Sequence, residues 1–428
     1  MLDRKFILDN IEAVKTNCAN RGVPCDLDRL VELETKRKTI QREAEEWNRQ
    51  ANETSKLIGK AASAEEREQL KDKGRELREK KEKAQADHDV LEGEILGILS
   101  RIPNMAHPSA PIGRDDSSNL EVGHGKTPIP KFDFAAKDHV ELGKSLDLID
   151  FEAGARVAGA GFYFLKNEAV LLELALQQFA IQRLMQKGFI PIMTPDVAHT
   201  GILNGIGYNT RGQETQIYSI ENTEHNLVAT AEITLGGMLS GETLEADTLP
   251  LKLVGISHCF RTEAGAAGRA SKGLYRVHQF TKIEMFAFTT PEQSDGVHQE
   301  LRQIECDLFD ELGIAYRVVD TATGDLGGPA YRKYDLEAWM PGRGEAGEYG
   351  EVTSTSNCTD YQARRLNIRF KNKAEKGTHF VHTLNGTAIA ISRAIIAVME
   401  NYQQKDGSIR IPQVLQPWVG KDLIPARS

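Results

Sequence analysis

The chain lacks a cysteine framework. Its five cysteines, Cys18, Cys25, Cys259, Cys306 and Cys358, are odd in number, scattered and without a C-x-x-C pair, which excludes a disulfide scaffold and a cysteine zinc site and points to reduced thiols. Positive charge is also short. Lys and Arg number 53 against 62 Asp and Glu, and the resulting net charge of -9 excludes a protein that coats DNA through overall basicity, though not a local basic surface. Long apolar runs are missing as well: the most apolar stretch, residues 387–399, is broken by Arg393 and too short to span a bilayer, so no membrane role is expected. The first twenty residues carry Asp3, Asp9 and Glu12 and no signal-peptide core, so a cytoplasmic location is expected. Finally, there is no G-x-x-x-x-G-K-[ST], no kinase motif set and no Rossmann fingerprint. Any ATP must be held by another architecture.

What is present first is a charge-rich segment over residues 27–99. Leu33, Ile40 and Trp47 recur every seven residues, with Arg37, Ala44, Ala51 and Ile58 four positions later in each repeat. Leu70, Leu77, Ala84, Leu91 and Ile98 repeat the device after a turn-compatible stretch around Gly59 and Ser63. This spacing predicts two helices of about 35 residues folding back on one another as an antiparallel coiled coil, each roughly 50 Å long. A solvated hairpin or a dimerisation element would look the same. The basic clusters Lys36-Arg37-Lys38 and Lys71, Lys73, Arg75, Arg78, Lys80, Lys81 and Lys83 favour a binding arm, weakly, because acidic residues between them leave it nearly neutral.

Around Pro103, Pro108 and Pro111 the heptads stop. This divides the chain into a helical domain at 1–103, a linker at 104–131 and a body at 132–428. In the body, helical patterns at 168–186, 298–312 and 388–402 alternate irregularly with strand-like runs at 189–193, 251–255, 283–288 and 316–319. An α+β fold with a mainly antiparallel sheet flanked by helices is predicted.

Four segments carry chemistry. Phe260-Arg261-Thr262-Glu263 leads into a Gly/Ala loop with Gly265, Gly268 and Arg269, followed by Val277, Phe280 and Glu284: a hairpin whose Arg can fork onto a carboxylate or phosphate. Glu351-Val352-Thr353-Ser354 is a hydroxyl-rich strand led by a carboxylate, suited to Mg²⁺ or to an edge facing water. Asn385-Gly386-Thr387 opens an apolar stretch in which Arg393 must snorkel or meet a buried anion. Ala229-Thr230-Ala231-Glu232 reads equally as a plain helix cap.

In this order, preceded by Gly188-Phe189 to Pro195, the segments resemble the three motifs of class II aminoacyl-tRNA synthetases, and with the N-terminal hairpin the chain resembles a bacterial-type seryl-tRNA synthetase over its whole length. That resemblance implies ATP-dependent activation of L-serine to seryl-adenylate and transfer to serine tRNA, with selenocysteine tRNA as a second candidate acceptor. It implies that Arg261 bridges the serine carboxylate and α-phosphate, and that Arg393 binds the γ-phosphate. ATP is further held by Thr262, Glu263, the Val277 backbone, a stacked Phe280, and Glu351, Val352, Thr353 and Ser354, with Glu351 and Ser354 on Mg²⁺. Serine is held by Thr230, Ala231, Glu232, Arg261, Glu284 and Thr387. The arm would grip tRNA, and the 188–195 motif implies a homodimer. Relative to the family pattern, Thr387, Ala388 and Ser392 stand where serine, glycine and glycine are usual. A non-catalytic paralogue with a binding role would be signalled by loss of Arg261, Glu284 or Arg393; all three are present.

Overall fold

The computed structural model describes residues 1–208, 216–263, 272–373 and 376–427. It divides into two units, Met1–Pro103 and Asn104–Ser428. The first is all helical: α1 (Arg4–Asp9), α2 (Ile11–Asn20), α3 (Leu27–Ile58) and α4 (Ala64–Leu99). α3 and α4 have 32 and 36 residues and pack along their length, as the heptads predict. The apolar positions at the base, Leu27, Leu30, Leu33, Ile95 and Leu99, are essentially inaccessible, while farther out Ala51, Leu77 and Ala84 keep the seam closed with small or single contacts. The reversal is set by capping. Ser63 accepts from the Glu66 amide, one of the orphan donors of the first turn of α4, and the Glu66 carboxylate reaches back to accept from the Ala62 amide.

A charge network closes the base of this hairpin. Arg4 of α1 pairs with Glu34 of α3 and with Glu92 of α4, at 2.6 Å to the latter, and Arg37 also donates to Glu34 at 3.3 Å. The Glu34 side chain is only 4% exposed. A carboxylate so placed needs its cations, and here they tie three helices together.

In the second unit one sheet of eight strands dominates. They are β1 (Leu120–His124), β2 (Ile190–Met193), β3 (Leu251–Phe260), β4 (Gln279–Thr289), β5 (Tyr316–Asp320), β6 (Arg332–Met340), β7 (Glu348–Asn357) and β8 (His382–Ala390), in spatial order β1-β5-β6-β7-β8-β4-β3-β2. All neighbours are antiparallel except β2 and β3. Helices α5 (Glu168–Gln186), α6 (Ala231–Gly237), α7 (Pro291–Glu311) and α8 (Ile391–Asn401) accompany it. Phe179 of α5, Leu301 and Phe309 of α7, and Ile395 and Met399 of α8 meet Met285, Leu336 and Leu384 from the strands in one core.

Three sequence expectations change. The segment 104–131 is not only a connection: Leu120–His124 pairs with β5 as the sheet's edge strand, and the segment belongs to the second unit. The helix expected from 298 starts at Pro291, because Thr290 and Gln293 form a capping box and proline fits the first helical position. The helix expected from 388 starts at Ile391, because residues up to Ala390 continue the ladder with β4. Short apolar runs do not by themselves separate strand from helix.

Replacing Arg4 by Met leaves Glu34 with Arg37 alone and should cost about 1–3 kcal/mol in the first unit. Native-state hydrogen exchange on the full chain will read this as lost protection confined to residues 1–103; unchanged protection there would contradict the role given to Arg4.

Candidate active site

β3, β4, β7, β8 and the start of α8 surround a cavity of about 190 Å³. Arg261 leaves the end of β3 into it. Its amide donates to the His278 carbonyl at 3.0 Å, so the ladder between β3 and β4 fixes its backbone, and its guanidinium lies over the Phe280 ring at 5.3 Å. Glu263 and Val277 line the same cavity. Glu263 has a positive φ of 51° and is held by Arg276 at 3.2 Å. Such a backbone is costly for a residue with a side chain. Thr262 does not line the cavity, and the Gly/Ala loop with Gly265, Gly268 and Arg269 lies outside the described residues.

β7 and α8 provide the other wall. Glu351, Val352, Thr353 and Ser354 all reach it. Arg393 sits on a helix that is apolar on nearly every side, and it neither snorkels nor stays alone. Its guanidinium donates to the Glu351 carbonyl at 2.9 Å, pairs with the Glu351 carboxylate at 3.2 Å and covers the Tyr275 ring at 4.7 Å. Burial works against the Glu351 charge, but Arg393 and Lys333 outweigh it and hold the carboxyl down at about 2. Thr353 donates to buried Glu305 on α7 at 3.1 Å, which anchors the strand from behind. Two oxygen donors, the Glu351 carboxylate and the Ser354 hydroxyl, open on the cavity, and no cage of three or more acidic, His or Cys side chains exists among the described residues. That donor set fits Mg²⁺, which takes one or two protein oxygens and completes its shell with phosphate oxygens and water.

Thr387 closes the cavity toward a second group of polar residues. It stands opposite Glu284 in the β4–β8 register and donates to its carboxylate at 3.2 Å. Lys282, two residues before Glu284 and therefore on the same face of β4, pairs with that carboxylate at 2.6 Å. Behind them lies α6. Thr230 is fully buried and caps this helix by accepting from the Glu232 amide at 3.2 Å. Gly255 on β3 admits the helix: a Cβ there would meet Ala231 at 2.8 Å and Leu235 at 2.9 Å. Ala231 thus has a packing role, and its close approach brings Glu232 toward Glu284. Gln362 and Asn385 both donate to the same Glu232 oxygen, at 2.8 and 3.0 Å. Burial and the nearby Glu284 charge raise the Glu232 carboxyl to about 7.

Residues 1–106 match the family described as the seryl-tRNA synthetase N-terminal domain, and residues 216–402 match the tRNA synthetase class II core domain (G, H, P, S and T). The serine–tRNA ligase of Rhodopirellula baltica is 64% identical over 99% of both chains, and that of Treponema denticola is 58% identical over 99% of this chain and all of the relative. The chain belongs to the seryl-tRNA synthetases. Solved members agree: the seryl-tRNA synthetase from Pyrococcus horikoshii complexed with ATP is 40% identical over the whole of both chains with a TM-score of 0.92, and the Naegleria fowleri cytoplasmic enzyme in complex with AMP is 31% identical with a TM-score of 0.86 over 99% of this chain and 98% of that one.

Within this family fold, several wall residues were given no role by the sequence reading: Tyr275, Arg276, Lys282, Ala390 and Ser392. A signal for Lys282 exists in Lys282-Ile283-Glu284, since residues two apart on a strand share a face. Gln362 and Asn385 have none, because they lie 130 and 153 positions from Glu232. Ser392, where glycine is usual, lies against the cavity at 5% exposure.

The raised Glu232 carboxyl predicts a pH effect. Between its unfolded value near 4.5 and about 7 the folded chain holds a proton that the unfolded chain has lost, so this group's stabilising contribution declines as pH rises through that window. Glu232→Gln, which cannot ionise, should therefore melt at higher temperature than the parent at pH 8, with the gap closing toward pH 5. A gap constant across that range in thermal melts would contradict it.

Proposed function

We propose that this member of the serine–tRNA ligases activates L-serine in the cavity between β3, β4, β7 and β8, and that each polar wall residue carries one part of that work. The reaction is attack by the serine carboxylate on the α-phosphorus of ATP, with pyrophosphate leaving. Both reactants are anionic, so the requirement is to hold them in line and to offset charge on the phosphoryl oxygens. Arg261 is placed to fork between carboxylate and α-phosphate, a task for a planar guanidinium. Arg393 takes the γ-phosphate, exchanging the Glu351 carboxylate for it. Glu263 accepts from the adenine amino group, the Val277 backbone meets the base edge, and the Phe280 face stacks on the ring. Val352 and Thr353 complete the nucleotide wall. Glu351 and Ser354 would hold Mg²⁺, which when bound neutralises triphosphate charge.

At the other end Glu232, with Thr230 and Ala231 fixing its helix, takes the serine ammonium. Glu284 and Thr387 meet the side-chain hydroxyl. The observation that carries this reading is the convergence of Arg261, Arg393, Glu351 and Thr387 on one cavity, with Glu284 bound to the wall residues Thr387 and Lys282. A relative solved with ATP supports the nucleotide assignment. The helical hairpin is the grip for serine tRNA, acting on backbone shape through its clustered lysines and arginines. A homodimer is supported by apolar side chains left open on α5 and β2: Leu174 is 54% exposed, Ile190 51% and Met193 75%. Cytoplasmic tRNA charging is the setting that this activity implies; among the described residues no helix is long and apolar enough to cross a membrane.

Arg261→Ala should reduce serine-dependent ATP–pyrophosphate exchange by at least about 10³-fold, the scale of losing a preorganised charge at a reacting centre. Near-normal exchange would remove the role given to it. Deleting residues 34–94 should leave exchange within a few-fold of the parent while transfer to tRNA falls by orders of magnitude, measured as charging of bulk tRNA. Equal charging by the truncated chain would show that the hairpin is not the grip.

A further inference from the structure

Lys282 is a cation with 6% exposure placed beside a carboxylate with 2%, and the chemistry assigned above does not use it. Its Nζ lies 2.6 Å from Oε2 of Glu284. Thr387 donates to that same oxygen at 3.2 Å and accepts from Lys282 at 3.4 Å. Both protein donors thus converge on one carboxylate oxygen, and Oε1 of Glu284 has no hydrogen-bond partner among the described residues. The other ionisable groups around Glu284 are Glu232 and Tyr208, Cys259 on β3 and Glu305 on α7, every one an acid. Arg261 is the second cation of the neighbourhood, but among the described residues Lys282 alone is within ion-pair distance of Glu284. Without it, a buried carboxylate surrounded by acids would have no cation within ion-pair distance.

We propose that Lys282 is a specificity-determining positioning residue: its ammonium, with the Thr387 hydroxyl, holds Glu284 by Oε2 and so turns Oε1 outward as the acceptor for the substrate side chain. This rests on the reading that Glu284 meets the substrate side chain. An acceptor-only oxygen in a closed end selects a small side chain carrying a donor. Serine supplies the donor, whereas alanine leaves the carboxylate buried and unmet, a mismatch that such sites reject by roughly 10⁴–10⁵-fold. A Glu284 released from Lys282 could turn Oε1 away from the substrate, and the selection would weaken. Thr387 serves the same end, because its own proton is already committed to Oε2 and cannot compete for Oε1.

The test is serine-dependent exchange by the full chain. Lys282→Gln should raise the KM for serine at pH 7 on the order of 10–100-fold, the worth of a charged hydrogen-bonding partner, with a smaller change in kcat. Lys282→Arg, which keeps a cation beside Oε2, should restore most of the parent KM. Added to Glu284→Gln, the Lys282→Gln change should have little further effect on KM, because there is no carboxylate left to orient. A parent-like KM in Lys282→Gln, or an equal further loss on the Glu284→Gln background, would overturn the proposal. Should Lys282→Gln alone fail to fold, which a thermal melt reports, the double variant removes both charges together and still decides the last comparison. A parent chain that shows no serine-dependent exchange would instead overturn the functional reading itself.

Discussion

A charged side chain taken out of water must find an opposite charge, and the eight-stranded sheet is laid out so that nearby positions supply one. On β4 the partners are Lys282 and Glu284, on β6 they are Lys333 and Asp335, each two residues apart and so on one face of the strand. Between β7 and α8 they are Glu351 and Arg393. Glu351 is held strongly ionised by its two cations, whereas Asp335, more deeply enclosed and next to Glu351, is raised to about 7 despite Lys333. Every other feature of the site depends on this arrangement. The charges are fixed before any substrate arrives, which is what preorganised electrostatic catalysis requires.

The same constraint separates the two ends of the cavity. The end proposed for the nucleotide is rich in guanidinium groups resting on aromatic rings, Arg261 on Phe280 and Arg393 on Tyr275, so planar cations are held by ring faces and directed by carbonyl and carboxylate groups. The end proposed for the amino acid is made of carboxyl groups, each held on one oxygen by its neighbours: Glu284 by Lys282 and Thr387, Glu232 by Gln362 and Asn385. On the proposed reading, one-sided holding leaves the second oxygen of each for a ligand, and a zwitterionic amino acid with a hydroxyl finds a complement for each of its groups between these ends.

Much of this was legible in the sequence where periodicity or local chemistry carries the signal. The heptads gave both hairpin helices to within a few residues, and the pattern over 168–186 gave α5 as it stands. Arg393 stood out because an arginine inside an apolar run needs a reason. The start of α7 was missed because its first residues are polar and are held helical by a capping box, and β6 was missed because Arg332, Lys333, Asp335 and Glu337 interrupt any apolar run along it. Lys282 carried no meaning until the face of β4 was known. The residues that orient Glu232 come from a helix and a strand far along the chain, and no local pattern could have joined them.

The central claim is that the cavity is complementary to a seryl group joined to an adenylate, with the hydroxyl read by a carboxylate acceptor. Titration calorimetry of the full chain with the sulfamoyl analogue of seryl-adenylate, beside its alanyl counterpart, tests this most directly. The account predicts tight binding of the seryl compound and binding of the alanyl compound weaker by at least about 10³-fold, because alanine leaves a buried polar group unpaired. Equal affinity for the two would contradict it.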